Sequence, residues 1–285
     1  MKTLVIGGTG TVGSEVVDQL LSDDTEIVVL TRSSDNLEKL PEGVEGIVGD
    51  LLQPKTLRTV FKDVGRLFML NAVSPTECSE GLMALLAAKA DGVEKIVYLS
   101  VQNADDALHL PHFGAKVPIE QVIKESGIDY TILRANNFYQ NDYWFKDAIL
   151  QYGVYPQPIG GVGLSRVDIR DIAEAAAIAL TSEKGSNTTM NIVGPDVLTG
   201  EQTAEIWSEA LDKPVSYGGD DLDSWEEQML QYMPDWMVYD FRHMYEYFQV
   251  HGLKAGDEDL KMLADFLGHD PVSFKVFAKQ TAMTW

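Results

Sequence analysis

The chain has 285 residues, 45% hydrophobic and 23% charged, which excludes a disordered or collagen-like polymer and fits one large domain or two lobes. Lys and Arg number 22 against 44 Asp and Glu, and the resulting net charge of −22 repels nucleic-acid backbones and anionic membranes. Cys78, the single cysteine, suits a reducing compartment, and no apolar run approaches the ~20 residues of a membrane helix.

Met1-Lys2-Thr3 leads straight into a short apolar strand, so the expectation is a cytoplasmic protein without a signal peptide. Leu4–Ile6, Ile27–Leu30, Ile47–Val48, Leu67–Leu70, Ile96–Leu99 and Tyr130–Leu133 read as strands buried on both faces, as in a parallel sheet. Amphipathic segments such as Val12–Leu21 and Gly81–Ala90 separate them, with Pro75 suited to the first turn of the second. This alternation predicts an α/β fold with a doubly wound parallel sheet.

Gly7-Gly8-Thr9-Gly10-Thr11-Val12-Gly13 follows the first strand and opens the first helix. Glycines there let the backbone turn tightly and approach a pyrophosphate, while the helix N-terminus offers N–H groups and partial positive charge. The alternative is a turn that serves helix–strand packing alone. At the end of the second strand an NAD site usually carries a carboxylate for the ribose 2′-hydroxyl; here Arg32 stands beside Ser33. A guanidinium pairs with a 2′-phosphate, so NADP(H) is expected over NAD(H), against the alternative of a solvated surface arginine. Asp50 and Leu51 end the third strand, where Asp50 either accepts from the adenine amino group or shapes the turn before Pro54.

After Ala135 the rhythm changes. Gly160–Gly163 form a turn, Asp171 reads as the N-cap of an alanine-rich helix, and from Thr199 onward the chain looks helical apart from Val215–Tyr217.

Together these features resemble the NmrA-like branch of the atypical short-chain dehydrogenase/reductase family. The matching stretches are Gly7–Gly13, His112–Lys116, Gly127–Arg134, Asn137–Asn141, Val167–Ala173 and Gly268–Phe274. The resemblance implies an extended Rossmann domain over residues 1–150, to which a segment near 165–195 returns, and a smaller, mostly helical lobe over 196–285. It places Asp50 and Leu51 near adenine, Asn71, Ala72 and Val73 along the ribose and pyrophosphate, and Ser100 on the nicotinamide side. It brings Lys116 to the nicotinamide ribose, sets Phe138 and Asn141 between cofactor and substrate, and puts Ala135 where the family often has proline.

Many short-chain reductases use Tyr-x-x-x-Lys, but this chain has His112-x-x-x-Lys116. His112 is the candidate proton donor, although Pro118 predicts a helix start near 115–117 that leaves His112 in the entering loop, where the alternative is loop packing or a solvent-facing imidazole. For Lys116 the alternative is a surface pair with Glu120. His109 and His112 lack companions for a metal site, Asp105 and Asp106 read as a solvated loop, and Ser100 lacks a nucleophile elbow. Trp225 heads an aromatic and methionine-rich stretch that is able to wall a flat acceptor. Two functions follow. One is an NADPH-dependent reductase of a quinone, enone or aromatic carbonyl. The other is a non-catalytic NAD(P)H sensor that reports to a protein partner. A nucleotide-sugar epimerase would need the absent tyrosine. The chain is expected to be a monomer or homodimer.

Overall fold

A computed structural model describes residues 1–22 and 25–285. The chain divides into two units, residues 1–134 with 169–190, and residues 135–168 with 191–285. The first boundary therefore falls at Ala135, earlier than the 150 drawn from the sequence.

The six predicted strands are present: β1 (Lys2–Ile6), β2 (Ile27–Thr31), β3 (Val44–Val48), β4 (Val64–Met69), β5 (Lys95–Val101) and β6 (Asp129–Ala135). The order is β3-β2-β1-β4-β5-β6, with β8 (Thr188–Ile192) beside β6 as a seventh strand. The pairs β1–β2, β1–β4, β2–β3 and β4–β5 are parallel.

Period-2 alternation divides each strand between two cores. Leu4, Ile6, Val28, Leu30, Leu67, Met69, Ile96 and Tyr98 share one core with side chains of α2 (Pro54–Val60), α3 (Glu77–Ala90) and α5 (Lys116–Glu125). Val5, Val29, Phe68 and Val97 are equally buried but stand outside that cluster, on the face where α1 (Thr11–Ser22) packs against α7 (Ile169–Thr181). β3 is a correction: it is the sheet edge, and Val48 is exposed rather than buried on both faces.

Three local readings also change. Pro75 precedes the α3 N-cap, Thr76, instead of lying in the first turn. Asp171 is the third residue of α7 and not its cap. Residues 111–114 form a short helix, α4 (Pro111–Gly114), immediately before α5, so His112 lies on a helical turn and not in a loop. Pro118 accounts for the break between them, since it has no N–H to return to the Gly114 carbonyl.

The second unit holds α6 (Lys146–Tyr152), α8 (Gly200–Leu211), α9 (Leu222–Met229), α10 (Asp235–His251), α11 (Asp257–Leu267) and α12 (Phe274–Ala282). Its short sheet pairs β7 (Val154–Tyr155) with β9 (Ser216–Tyr217). Fully buried Arg166 organises its core. The guanidinium pairs with Asp142 at 2.6 Å, donates to the Phe138 carbonyl at 2.9 Å and lies 5.2 Å from the Phe274 ring centre. Asp142 also accepts from Trp207 Nε1 at 2.9 Å and Gln157 Nε2 at 2.7 Å, so the buried charge is matched on every side. Among the described residues no helix is long and apolar enough to cross a membrane.

Candidate functional site

The strand order reverses between β1 and β4, where an open α/β sheet leaves a crevice at the carboxyl ends of its strands. A cleft of about 580 Å³ occupies this place. Its lining comes from successive strand ends: Ile6, Gly7, Thr9 and Gly10 after β1; Leu30, Thr31, Arg32, Ser33 and Asn36 around the end of β2; Gly49, Asp50 and Leu51 after β3; and Leu70, Asn71, Ala72 and Val73 after β4, with Glu80 from α3.

The glycines of the first loop do different work. Gly7 has φ +84°, and a Cβ there would lie 2.7 Å from the Leu70 carbonyl oxygen. At Gly13 a Cβ would lie 2.1 Å from the Gly7 carbonyl oxygen, and at Gly8 it would strike Val29 at 2.9 Å. Gly8 and Gly13 thus serve close packing of helix on strand, and neither they nor Thr11 and Val12 line the cleft. A Cβ on Gly10 would meet only the Gly7 carbonyl, at 3.4 Å, and Gly10 faces the cleft. Ser14 N–H is bonded to the Gly10 carbonyl at 2.9 Å, so the N–H groups of Thr11, Val12 and Gly13 stand ahead of the α1 ladder. No acidic residue occupies that first turn.

On the β2 side, exposed Arg32 lines the cleft. Ser33 Oγ accepts from Asp35 N–H at 3.2 Å and caps a 3-10 turn, Ser34–Lys39. The Asn36 amide donates to Thr31 Oγ1 at 3.2 Å and brings a further polar group to the wall. Asp50 accepts from Leu52 N–H at 2.9 Å and Gln53 Nε2 at 3.1 Å. The turn-shaping reading of Asp50 is the one the hydrogen bonds carry, and Asp50 borders the cleft as well.

Beyond β4 several polar groups are buried. Asn71 is 2% exposed, and neither its amide nitrogen nor its oxygen has a hydrogen-bond partner among the described residues. Glu80 accepts from Thr76 Oγ1 at 2.7 Å. Lys116 is 7% exposed and forms an ion pair with fully buried Glu77 of α3, so the alternative of a surface pair with Glu120 is not what the structure shows. Glu120 instead accepts from Ser100 Oγ at 2.6 Å and from Arg134 at 2.6 and 2.9 Å, and pairs with Lys124 at 3.2 Å. The Ser100 hydroxyl proton is therefore committed to Glu120. Arg134 also reaches Asp105 at 2.6 Å, tying down a loop expected to be merely solvated.

Tyr98 does not replace the missing tyrosine. Tyr98 is fully buried, its hydroxyl has no partner among the described residues, and burial, with Glu77 and Glu120 nearby, pushes its ionisation well above the ordinary range. His112 is 8% exposed and stacks edge-on with Phe113 at 4.8 Å.

Phe138, Asn141 and Trp225 belong to the second unit. Phe138 precedes a 3-10 turn, Tyr139–Phe145, that contains Asn141, and bridges to Val167. Trp225 is buried on α9 with its ring edge-on to Tyr245 at 5.0 Å. Among the described residues no group of three or more His, Cys, Asp or Glu side chains is placed to hold a metal ion.

Sequence reasoning missed Asn36, Glu77 and Glu80. Asn36 lies four residues past Arg32 and was open to discovery from the turn chemistry of Ser33-Ser34-Asp35. Glu77 meets Lys116 across a separation of 39 residues, and no local pattern announces it.

The NmrA-like family matches residues 1–269 of this chain. The NAD(P)H azoreductase of Xenophilus azovorans is 32% identical over 217 residues, which is 75% of each chain. The photosystem II assembly factor Ycf39 of Guillardia theta is 29% identical over 222 residues, 72% of this chain and 69% of its own. Among solved structures, the NADPH-dependent quinone oxidoreductase QOR2 of Escherichia coli complexed with NADPH superposes with a TM-score of 0.87 at 22% identity, over 98% of this chain and 99% of that one, a likeness of fold.

Proposed function

This chain belongs to the NmrA-like family, and on that footing we propose that it binds NADPH in the β1–β4 crevice and reduces a small, flat, electron-poor acceptor such as a quinone, enone or aromatic carbonyl. The carrying observation is the cleft itself. Its glycine wall at Gly10 leaves room that a side chain would fill, and its floor holds an Asn71 amide with two unanswered polar atoms. A buried amide without partners costs about 1–3 kcal/mol, and a bound ribose or phosphate answers it. In this reading the loop from Gly7 to Gly10, with the N-terminus of α1 behind it, holds the pyrophosphate, Arg32 and Ser33 take the 2′-phosphate, and Lys116 serves the nicotinamide ribose. The bound nicotinamide supplies the hydride.

Acceptor choice follows from the residues around Tyr98 and Ser100. Tyr98 is sealed in the core and the Ser100 proton is engaged by Glu120, so neither delivers a proton to a developing alkoxide. A quinone needs no such delivery during hydride transfer, which favours it over a simple ketone. The relatives named above include an NAD(P)H azoreductase.

That neither Tyr98 nor Ser100 supplies a proton also supports a second reading, an NADPH-binding regulator without turnover, and a photosystem assembly factor stands among the relatives. One experiment separates the two. NADPH binding is titrated, and NADPH consumption is followed against a panel of quinones, enones and aldehydes. Consumption with quinones supports the reductase; tight NADPH binding with no consumption on any acceptor moves the reading to the regulator. Failure to bind NADPH removes both.

A further inference from the structure

Glu77 lies in the first turn of α3, with its side chain fully buried, and pairs with Lys116 at the start of α5, whose side chain is 8% exposed. An ion pair withdrawn from water to this degree is a poor source of stability, since apolar residues of similar volume usually serve as well. The obvious local partner of Lys116, Glu120 one turn further on, is already filled by Ser100, Arg134 and Lys124. Two buried carboxylates thus divide the cations between them, and Glu77 is left to Lys116.

The pair lies close to the cleft. Four residues beyond Glu77, a Cβ on Gly81 would lie 2.4 Å from Ile119 Cδ1 and 3.3 Å from Asn71 Oδ1. The helices α3 and α5 therefore nearly touch there, beside the unanswered amide of Asn71. Lys116 is three residues before Ile119 and Glu77 four before Gly81, so the ion pair lies one helical turn from that crossing. Glu80, three residues after Glu77, reaches the cleft wall. We infer that Glu77 is the positioning residue for Lys116: it holds the ammonium one helical turn from the α3–α5 crossing that abuts Asn71, where the ammonium meets the nicotinamide-ribose half of the dinucleotide. The inference rests on the proposed role of Lys116.

The test measures affinity for the two halves separately, with reduced nicotinamide mononucleotide and 2′,5′-ADP as probes beside NADPH. Glu77→Gln keeps the shape of the side chain and removes its charge. It is expected to weaken the mononucleotide and NADPH by about tenfold or more, the worth of one charge-assisted contact, and to leave 2′,5′-ADP unchanged. Glu77→Asp is expected to recover part of the loss. Equal weakening of both halves, or of neither, overturns the inference, because a merely structural ion pair does not discriminate between them. Should Glu77→Gln fail to fold, Glu77→Asp carries the same comparison, with loss on the mononucleotide alone as the supporting result. Lys116→Ala separates the two levels. If it leaves mononucleotide affinity intact, the proposed role of Lys116 fails; if it lowers that affinity while Glu77→Gln does not, only the positioning role falls.

Discussion

Replacing Gly10 by valine separates a binding surface from a packing surface within one loop. The backbone at Gly10 is not in the left-handed region, and an added Cβ would sit 3.4 Å from the Gly7 carbonyl oxygen, an ordinary contact. The fold should accept the change, and loss of glycine freedom in the unfolded chain offsets strain by about 0.4–1 kcal/mol. The branched side chain enters the cleft in front of the α1 N-terminus. If it denies the pyrophosphate two charge-assisted hydrogen bonds of about 1.5–3 kcal/mol each, NADPH affinity falls by ~10²–10⁴. Gly13→Ala is the control, because its Cβ would lie 2.1 Å from the Gly7 carbonyl oxygen, a backbone atom unable to swing away. Overpacking costs about 1–3 kcal/mol, and the rigid neighbour places this case at the upper end, so the melting temperature should fall by about 6–12 °C. Fluorescence titration with NADPH and a thermal melt on both variants give the answer. Normal NADPH binding by a well-folded Gly10→Val protein would refute the assignment of the loop.

Arg32→Ala should erase most of the preference for NADPH over NADH, a change of about 1.5–3 kcal/mol in relative affinity, read by titrating both cofactors; equal affinities in the unaltered protein would make Arg32 a surface residue only. Tyr98→Phe removes a buried hydroxyl with no partner among the described residues, so the melting temperature should hold or rise with turnover intact, whereas a large loss of turnover would expose Tyr98 as the acid after all. At Asp129, burial pushes the carboxyl up, but hydrogen bonds from Ser186 and Lys95 outweigh it and hold the group below its ordinary value near 3.8. That contribution is present above the ordinary value and is lost as pH falls through the lower folded one, so Asp129→Asn should destabilise at neutral pH and flatten acid unfolding below about pH 4. An unchanged acid limb would mean that the Lys95 pair, 3.1 Å long, contributes nothing measurable.

What was legible depended on range along the chain. Strands β1, β2, β4, β5 and β6 announce themselves as short apolar runs, and the loop from Gly7 to Gly13 sits where a strand gives way to a helix. β3 misled, because Ile47–Val48 is apolar yet lies at the sheet edge, and apolar character alone does not distinguish an edge from a centre. β8 was hidden for the opposite reason: Thr188, Thr189 and Asn191 give it a polar signature, although Met190 and Ile192 are buried. The cleft wall at Arg32 and Asp50 followed from counting strand ends, and Asn71 from the family resemblance. The Glu77–Lys116 and Ser100–Glu120 contacts did not, because each joins elements whose meeting depends on how helices cross a sheet.

The pairing of α1 with α7 bears on how the protein is made. The chain leaves the first unit at Ala135 and returns at Ile169, so the helix that presents its N-terminus to the cleft meets its packing partner about 150 residues later. Until Ile169–Thr181 has left the ribosome, α1 lacks that cover, and the sheet lacks β8 beside β6. A nascent or truncated chain ending before residue 190 would carry the whole glycine loop and still present apolar surface to other chains. A dinucleotide-binding fragment cut at residue 134 is therefore a poor reagent, and a soluble minimal unit would have to splice residues 169–190 back onto the first 134.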